Sequence, residues 1–406
     1  MIALFCFILG IWIWDNYFGE KIGYAPGTQE AALIKMDRDL KLAEAMADDP
    51  PLLRWLAHAQ TLSDAIDHSM LSLETLAESQ SLGPAGFEAY AALFATKTNR
   101  NPEAFLQSFG VFQVDTESTT WWSLKLSSPD FTYPTIQITS DLRTRAVIVG
   151  SLIWLLGLVG LIFIPSTLRC LRRAFTVKSK GYSSAWSPSL GLLIFLVATL
   201  AWIGLSMVIE IGIAHQDGVH PVVIILLDTC LRVLPALIAL GFLFKKVSHI
   251  SRSLGLNGHI NPQLILGLFS ILVVVDQFLR WALLRFTPTD PTGGLSFADS
   301  GVFGLIFLII SACLIAPIAE EILYRGILFR SLANKMGVFL AALLSSTIFA
   351  TLHFYDYYGL VSVATFGFFC ALLYQSTGSL PNVIALHILY NTSITLPEWT
   401  IYHAPL

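Results

Sequence analysis

Eight apolar runs follow one another after residue 145, at about residues 146–166, 187–212, 221–244, 262–286, 302–334, 337–353, 359–376 and 381–397. Each is close to, or longer than, the roughly 20 residues that a helix needs to cross a bilayer. A backbone inside lipid must satisfy its own hydrogen bonds, and a helix does so within one segment. Only 13% of the residues are charged, whereas soluble domains carry about 25%. The sequence therefore predicts an all-α polytopic membrane protein.

The region before residue 146 divides into two parts. Residues 1–18 are apolar but lack the basic segment and small-residue cleavage site of a signal peptide, so we expect an uncleaved membrane anchor. With this anchor, eight or nine transmembrane helices are expected. Residues 19–145 contain no spanning run and are acidic; they show helical periodicity at residues 29–95. The Phe, Val, Thr and Trp content of residues 108–140, including Trp121 and Trp122, predicts short strands in this mainly helical insert.

Basic clusters set the expected orientation. Lys and Arg are concentrated after the first and third of the eight runs, at Arg169, Arg172, Arg173, Lys178 and Lys180 and at Lys245, Lys246 and Arg252. Such clusters favour the cytoplasmic side, which places residues 19–145 outside. We therefore expect an anchor at residues 1–18, an acidic extracytoplasmic domain at 19–145, a helix with a basic cytoplasmic loop at 146–186 and a membrane domain at 187–406. A bacterial inner membrane is the expected location.

The middle of the apolar run at 302–334 carries the charged residues Glu320, Glu321 and Arg325. Charged side chains inside a membrane-spanning segment are costly, and they usually face a protein interior or a water-filled cavity. Glu321 and Arg325 are four residues apart, so they share one helix face and can form a charge-assisted pair. Glu320 points about 100° away from Glu321. One carboxylate can thus be neutralised while its neighbour faces a cavity.

Two later runs carry similar polar intrusions. Phe349 precedes His353 by four residues, and His387 precedes Asn391 by four. A carboxylate and an imidazole beside a water molecule can remove its proton. A His and an Asn on one helix face offer two donors for an oxyanion. These groups are the parts of a peptide hydrolase that needs no covalent nucleophile, although the residues alone leave open which glutamate would react.

The three motifs occur in a fixed order on successive predicted helices, as Glu320-Glu321-x-x-x-Arg325, Phe349-x-x-x-His353 and His387-x-x-x-Asn391. In this order they resemble the motifs of the CAAX-protease and bacteriocin-processing family, whose members are intramembrane proteases of the type II CAAX prenyl endopeptidase kind. The resemblance covers about residues 190–406. It implies an endopeptidase that acts on a membrane-associated polypeptide within the lipid bilayer.

The resemblance also implies roles for individual residues. Glu320 and His353 would activate the attacking water, and His387 and Asn391 would stabilise the oxyanion. The remaining motif residues would support them: Glu321, Arg325 and Phe349.

Other functions remain open at this point. Carboxylate and imidazole groups bind Zn²⁺, although the helical H-E-x-x-H signature is absent; we expect no cofactor, and a metal-dependent protease is the alternative. A non-catalytic scaffold, immunity or maturation-partner protein is a further alternative. No nucleic-acid partner is expected, and residues 19–145 are candidates for protein contacts or substrate gating. The five cysteines show no metal spacing and are interpreted as core residues.

Two more charge pairs lie within the membrane runs, each with the spacing Asp-x-x-Leu-Arg. They are Asp228 with Arg232 and Asp276 with Arg280. We interpret each pair as self-neutralising or as a bridge between helices, in preference to an ion pathway. The tyrosine-rich turn at residues 355–358 is expected to border the substrate entrance.

Overall fold

A computed structural model describes the chain at residues 28–78, 83–98, 120–127, 136–176, 186–214, 221–244, 249–283, 301–353, 355 and 357–402. Within these ranges all regular structure is helical and no β-strand occurs, which confirms the predicted all-α class. The predicted anchor at residues 1–18 lies outside the described residues. So do the basic residues Lys178, Lys180, Lys245 and Lys246, and the orientation of the chain stays a prediction.

Five helices precede the membrane body and are called the N-terminal helices below. They are α1 (Thr28–Ala45), α2 (Pro51–Leu56), α3 (Leu62–Glu78), α4 (Pro84–Thr98) and α5 (Trp121–Ser127). Four of them, all except α2, pack around an apolar core that includes Met36, Leu40, Leu73, Leu93 and Trp121. The domain boundaries at residues 19 and 145 remain a prediction, although this core is distinct from that of the membrane body.

The strand prediction is wrong where residues 108–140 are described, because Trp121 and Trp122 begin helix α5. The backbone N–H of Trp121 donates to Asp37 Oδ1 at 2.5 Å, and its indole Nε1 donates to Glu44 Oε2 at 2.8 Å. These contacts with α1 hold the segment, and such tertiary contacts readily outweigh the β-propensity of aromatic residues. Within the predicted strand region, residues 108–119 and 128–135 lie outside the described residues.

The membrane body contains the remaining elements. They are α6 (Ile136–Leu161), α7 (Ile164–Thr176), α8 (Pro188–Ala214), α9 (Pro221–Phe244), α10 (Ile250–Ser253), α11 (Pro262–Leu283), α12 (Gly301–Leu308), π1 (Ile309–Ile315), α13 (Ala316–Glu320), π2 (Glu321–Phe329), α14 (Arg330–Met336), α15 (Val338–Thr351), α16 (Tyr357–Thr377) and α17 (Leu380–Tyr402).

Six described segments are long and apolar enough to cross a membrane: Asp141–Leu161, Pro188–Ile209, Leu226–Leu243, Pro262–Leu283, Val302–Met336 and Tyr357–Thr377. The apolar helix Val338–Thr351 is shorter, and α17 is not among the six. The chain is thus an integral membrane protein with a helical polytopic fold. The expected total of eight or nine crossings stays a prediction.

The segment from α12 to α14 runs through the centre of the membrane body. Every residue of π2 is buried, and π2 contacts α8, α15 and α17. Gly337 lies between α14 and α15 with φ at 85°, a left-handed conformation that glycine adopts without Cβ strain. This turn lets α15 pack back against α14 and π2. The first motif therefore lies beside the helix that carries the second.

Candidate active site

The three motifs converge on one cavity of about 930 Å³. It is lined by Glu320 at the end of α13, by Phe349 and His353 at the end of α15, and by His387 and Asn391 on α17. Glu321 and Arg325, on π2, lie behind this lining and are buried. The structure therefore brings together all seven residues that were singled out from three separate stretches of sequence.

The two adjacent glutamates occupy different environments. The side chain of Glu321 is 0% exposed, whereas that of Glu320 is 21% exposed and lines the cavity. Glu321 Oε1 lies 2.9 Å from Arg325 Nη1 and 2.7 Å from His387 Nδ1. Glu320 Oε2 lies 3.7 Å from His387 Nε2. Glu321 therefore belongs to an internal charge cluster, and Glu320 is the carboxylate that meets the cavity.

Arg325 is held by charge and by an aromatic face. Its Cζ lies 4.5 Å from the centroid of the Phe349 ring, within the range of a cation–π contact. Nη1 is close to Glu321 Oε1, but neither Nη group has an aligned hydrogen-bond acceptor among the described residues. A buried pair of this kind is costly to break, because removal of one member leaves the other charge unpaired.

The hydrogen bond of His387 fixes where its proton lies. An ionised carboxylate oxygen only accepts hydrogen bonds, so His387 Nδ1 is the donor in its 2.7 Å contact with Glu321. Nε2 is thereby turned toward Glu320 and the cavity. In the neutral ring this atom has a lone pair, and it can donate only when the ring is protonated.

His353 has the complementary arrangement. Its Nδ1 lies 2.7 Å from the backbone carbonyl oxygen of Phe349, which leaves Nδ1 as the donor and gives neutral Nε2 a lone pair. This carbonyl belongs to the last turn of α15, where backbone oxygens have no partner within the helix. The Phe349 ring meets the His353 ring edge-on at a centroid distance of 4.6 Å. His353 thus has the hydrogen-bonding pattern of a proton acceptor.

Asn391 is anchored to the irregular part of the central segment. Its Nδ2 donates to the carbonyl oxygen of Ala312, in π1, at 2.9 Å. A π-helical bond to this oxygen would come from residue 317, but Pro317 has no N–H. Asn391 therefore bonds a carbonyl that the proline leaves open. The second N–H and the side-chain oxygen of Asn391 are not used in this bond, and the residue lines the cavity.

The two additional charge pairs also line the cavity, which sequence reasoning did not foresee. Arg232 Nε donates to Asp228 Oδ2 at 2.7 Å, as the spacing predicts, yet both side chains remain more than a third exposed. Asp276 instead bridges helices, because it accepts hydrogen bonds from Tyr358 and Ser362 on α16 at 2.9 and 2.7 Å. The four-residue spacing within each pair did not indicate that both pairs would line one cavity.

The tyrosine-rich turn is partly described. Tyr355 and Tyr358 line the cavity, and the ring centroid of Tyr355 lies 5.5 Å from that of His353. Asp356 lies outside the described residues. The expected role of this turn as a substrate entrance stays a prediction.

Comparison with known proteins finds a family match in the last part of the membrane body. Residues 302–393 match the family described as type II CAAX prenyl endopeptidase Rce1-like. The chain is 36% identical over 91 residues to the "Putative membrane peptidase YdiL" of Bacillus subtilis (strain 168), an alignment that covers 22% of this chain and 37% of that protein. No solved structure matches. The matched range includes all seven motif residues but neither α9 nor the N-terminal helices.

Among the described residues, no group of three or more His, Cys, Asp or Glu side chains is arranged to hold a metal ion. The four cysteines in the described ranges, Cys170, Cys230, Cys313 and Cys370, are free thiols. His387 lies next to both glutamates, and Glu321 also contacts Arg325.

Proposed function

We propose that this protein, whose residues 302–393 form an Rce1-like domain, is an intramembrane endopeptidase that hydrolyses a peptide bond of a membrane-associated polypeptide. The observation that carries the proposal is the convergence of Glu320, His353, His387 and Asn391 on one cavity. Ionisable residues at this depth in a membrane protein mark functional sites by default. The cavity has the size of a typical ligand pocket, about 300–1,000 Å³.

In the proposed mechanism Glu320 and His353 activate a water molecule. Glu320 is the carboxylate that faces the cavity, and His353 directs a lone pair at Nε2 away from its bond to Phe349. Together they can take one proton from water as its oxygen attacks the carbonyl carbon of the scissile bond. The same proton then passes to the leaving nitrogen as the C–N bond breaks. The products are a carboxylic acid and an amine, so no atom is left over.

His387 and Asn391 are proposed to stabilise the oxyanion that forms during this attack. His387 must be protonated for this role, because its Nδ1 hydrogen is already donated to Glu321. The Glu321–Arg325 pair would hold the ring in place and balance its charge. Asn391 retains one N–H after its bond to Ala312. Preorganised donors of this kind are worth about 10²–10³ in rate for each donor.

The proposal is tested by comparing membrane and secreted proteins of a wild-type strain with those of a Glu320→Gln strain. Gln keeps the size of Glu and removes its charge and its basicity. We expect one or more uncut precursors to accumulate, and the purified variant to cleave such a precursor at least about 100-fold more slowly. Glu74→Gln is the matched control, since Glu74 is an exposed glutamate that does not line the cavity.

Undiminished cleavage in both Glu320→Gln and His353→Ala would contradict the mechanism. A normal cellular phenotype with Glu320→Gln, at an unchanged protein level, would favour the non-catalytic scaffold. Cleavage that is lost with a chelator and restored by added Zn²⁺ would favour the metal-dependent version. Comparing the accumulated precursor with and without a prenyl group would establish whether the enzyme requires that group.

A further inference from the structure

The N-terminal helices are packed against the membrane body beside the cavity. The Trp55 ring, on α2, stacks on Trp154 of α6 with a centroid distance of 3.8 Å. Gln277, on α11, lies 2.8 Å from His58 Nδ1. Asp49 accepts two hydrogen bonds from Arg143 at 2.5 and 2.6 Å. These contacts fix the turn after α1 and the whole of α2 against two helices of the membrane body.

The closest approach occurs at Gly150 in α6. A Cβ atom at this position would lie 1.9 Å from the backbone oxygen of Leu56 and 3.2 Å from Ala57 Cα. These atoms belong to the backbone of the N-terminal helices, so no side-chain rotation could relieve the overlap. The position of α2 therefore depends on glycine at residue 150. Gly157 lies about two turns later on α6. A Cβ atom added at Gly157 would have no neighbour within 4 Å.

One face of α1 lines the same cavity as the motif residues. Its side chains there include Lys35, Arg38 and Asp39. Arg38 Nη1 lies 3.9 Å from Glu398 Oε1, and its Cζ lies 5.4 Å from the centroid of the Tyr402 ring. Glu398 and Tyr402 belong to α17, the helix that carries His387 and Asn391. The cavity thus extends from the proposed catalytic groups to a charged wall formed by α1.

We propose that α1 is a wall of the substrate-binding site and that Lys35, Arg38 and Asp39 contact a polar polypeptide segment next to the scissile bond. The inference rests on the proposed function. A charged side chain that is partly exposed to a cavity can bind backbone carbonyls, N–H groups or polar side chains of an extended segment. The wall lies outside the range that matches the Rce1-like family, so it would give this protein a substrate preference of its own.

The direct test removes the two basic charges of the wall and leaves Asp39 in place. Purified full-length protein with Lys35→Ala and Arg38→Ala is compared with wild type on the precursor that accumulates in the Glu320→Gln strain. We expect KM to rise about tenfold with kcat little changed, because the variant loses charge-assisted hydrogen bonds to the bound segment but no group that reacts. Lys97→Ala is the control, since Lys97 is exposed, pairs with Asp67 and does not line the cavity.

A second test displaces α2, which a short turn joins to α1, without changing the side chains of the wall. Gly150→Ala pushes α2 away from α6, whereas Gly157→Ala makes the same substitution on the same helix in open space. We expect Gly150→Ala to raise KM, or to change the order in which two precursors are preferred, and Gly157→Ala to leave both unchanged. Intact folding of each variant is checked by the unfolding temperature in detergent micelles.

The outcomes separate the two proposals. Unchanged KM and precursor preference in the Lys35→Ala, Arg38→Ala variant and in Gly150→Ala, with cleavage abolished by Glu320→Gln, would overturn the wall and leave the protease proposal standing. Undiminished cleavage in Glu320→Gln and His353→Ala would overturn the proposed function and, with it, the substrate wall. A fall in kcat with constant KM would also contradict a binding role for α1.

Discussion

Gly367, on α16, is packed against the charge cluster that supports His387. A Cβ atom at this position would lie 3.0 Å from Ser346 Cβ, 3.1 Å from Arg325 Nη2 and 3.3 Å from Phe349 Cδ1. Carbon atoms pack best at about 3.5–4.0 Å, so all three neighbours would have to move by a few tenths of an ångström. We predict that Gly367→Ala disturbs the site although Gly367 carries no functional group.

The size of the effect follows from two opposing contributions. Alanine in a helix interior is favoured over glycine by about 0.5–1 kcal/mol. Overpacking of a tightly filled core costs about 1–3 kcal/mol. Gly157→Ala provides the first contribution without the second, because Gly157 is buried in a helix with nothing within 4 Å of its Cβ position. Gly367→Ala should therefore be about 1–3 kcal/mol less stable than Gly157→Ala.

Activity should fall by more than stability alone explains. The displaced guanidinium of Arg325 is 2.9 Å from the Glu321 oxygen that also holds His387. A shift of about 1 Å at a catalytic group can reduce the rate about 100-fold, so a few tenths of an ångström should reduce kcat several-fold. The assays are unfolding in detergent, followed by tryptophan fluorescence, and cleavage of the accumulated precursor. Equal stability and kcat for Gly367→Ala and Gly157→Ala would refute the reasoning.

Three further predictions concern other parts of the molecule. Glu321→Gln should destabilise the protein by about 3–5 kcal/mol, because it leaves Arg325 buried without a counter-charge. The double variant with Glu321→Gln and Arg325→Gln should regain part of this stability in the same unfolding assay. Burial, helped by the charge of Arg280, lowers the pKa of His58 from 6.5 to about 4. The neutral ring is thus favoured by folding, and stability is fully present above about pH 6.5 and lost as the pH falls toward 4. Between pH 7.5 and 5 the free energy of unfolding should fall by about 2 kcal/mol. The variant His58→Asn should not show this pH-dependent loss, and Asn tolerates the left-handed backbone at residue 58, where φ is 55°. Exchanging Asp228 and Arg232 should preserve the ion pair and the unfolding temperature but reduce cleavage, because it moves a positive charge within the cavity that Arg232 and Glu320 both line. Full activity after the exchange would show that the pair only neutralises itself.

The sequence predicts the site well where chemistry and periodicity coincide. Glu320, His353, His387 and Asn391 stand out because each is a polar residue in an apolar run, and a bilayer leaves such groups few locations besides a shared cavity. The four-residue spacing of Glu321 and Arg325 predicts their proximity, which the structure shows at 2.9 Å. The expectation that Glu320 and Glu321 face different environments follows from the helical period alone.

Other features depend on contacts between distant segments. The bond of His387 to Glu321 joins residues 66 positions apart, and no local pattern indicates which carboxylate a histidine will meet. The π-helical turns at π1 and π2 shift the register by fractions of a turn, which apolar periodicity cannot resolve. The pairing of Trp121 with Asp37 and Glu44 turned an expected strand into a helix. In the Trp121 segment a tertiary contact outweighed the local preference.

The π-helical turns also explain how two neighbouring carboxylates come to serve one histidine. Glu320 ends α13 and Glu321 begins π2, so the backbone widens at the point where both side chains turn toward α17. His387 then has Glu321 at Nδ1 and Glu320 at Nε2. A π-turn inside an α-helix is often found at functional sites because it carries a cost that packing alone does not require. The irregular backbone, the proline at 317 and the bond from Asn391 to Ala312 thus form one arrangement, which places the Glu320 carboxylate, the His387 ring and the Asn391 amide around the same cavity.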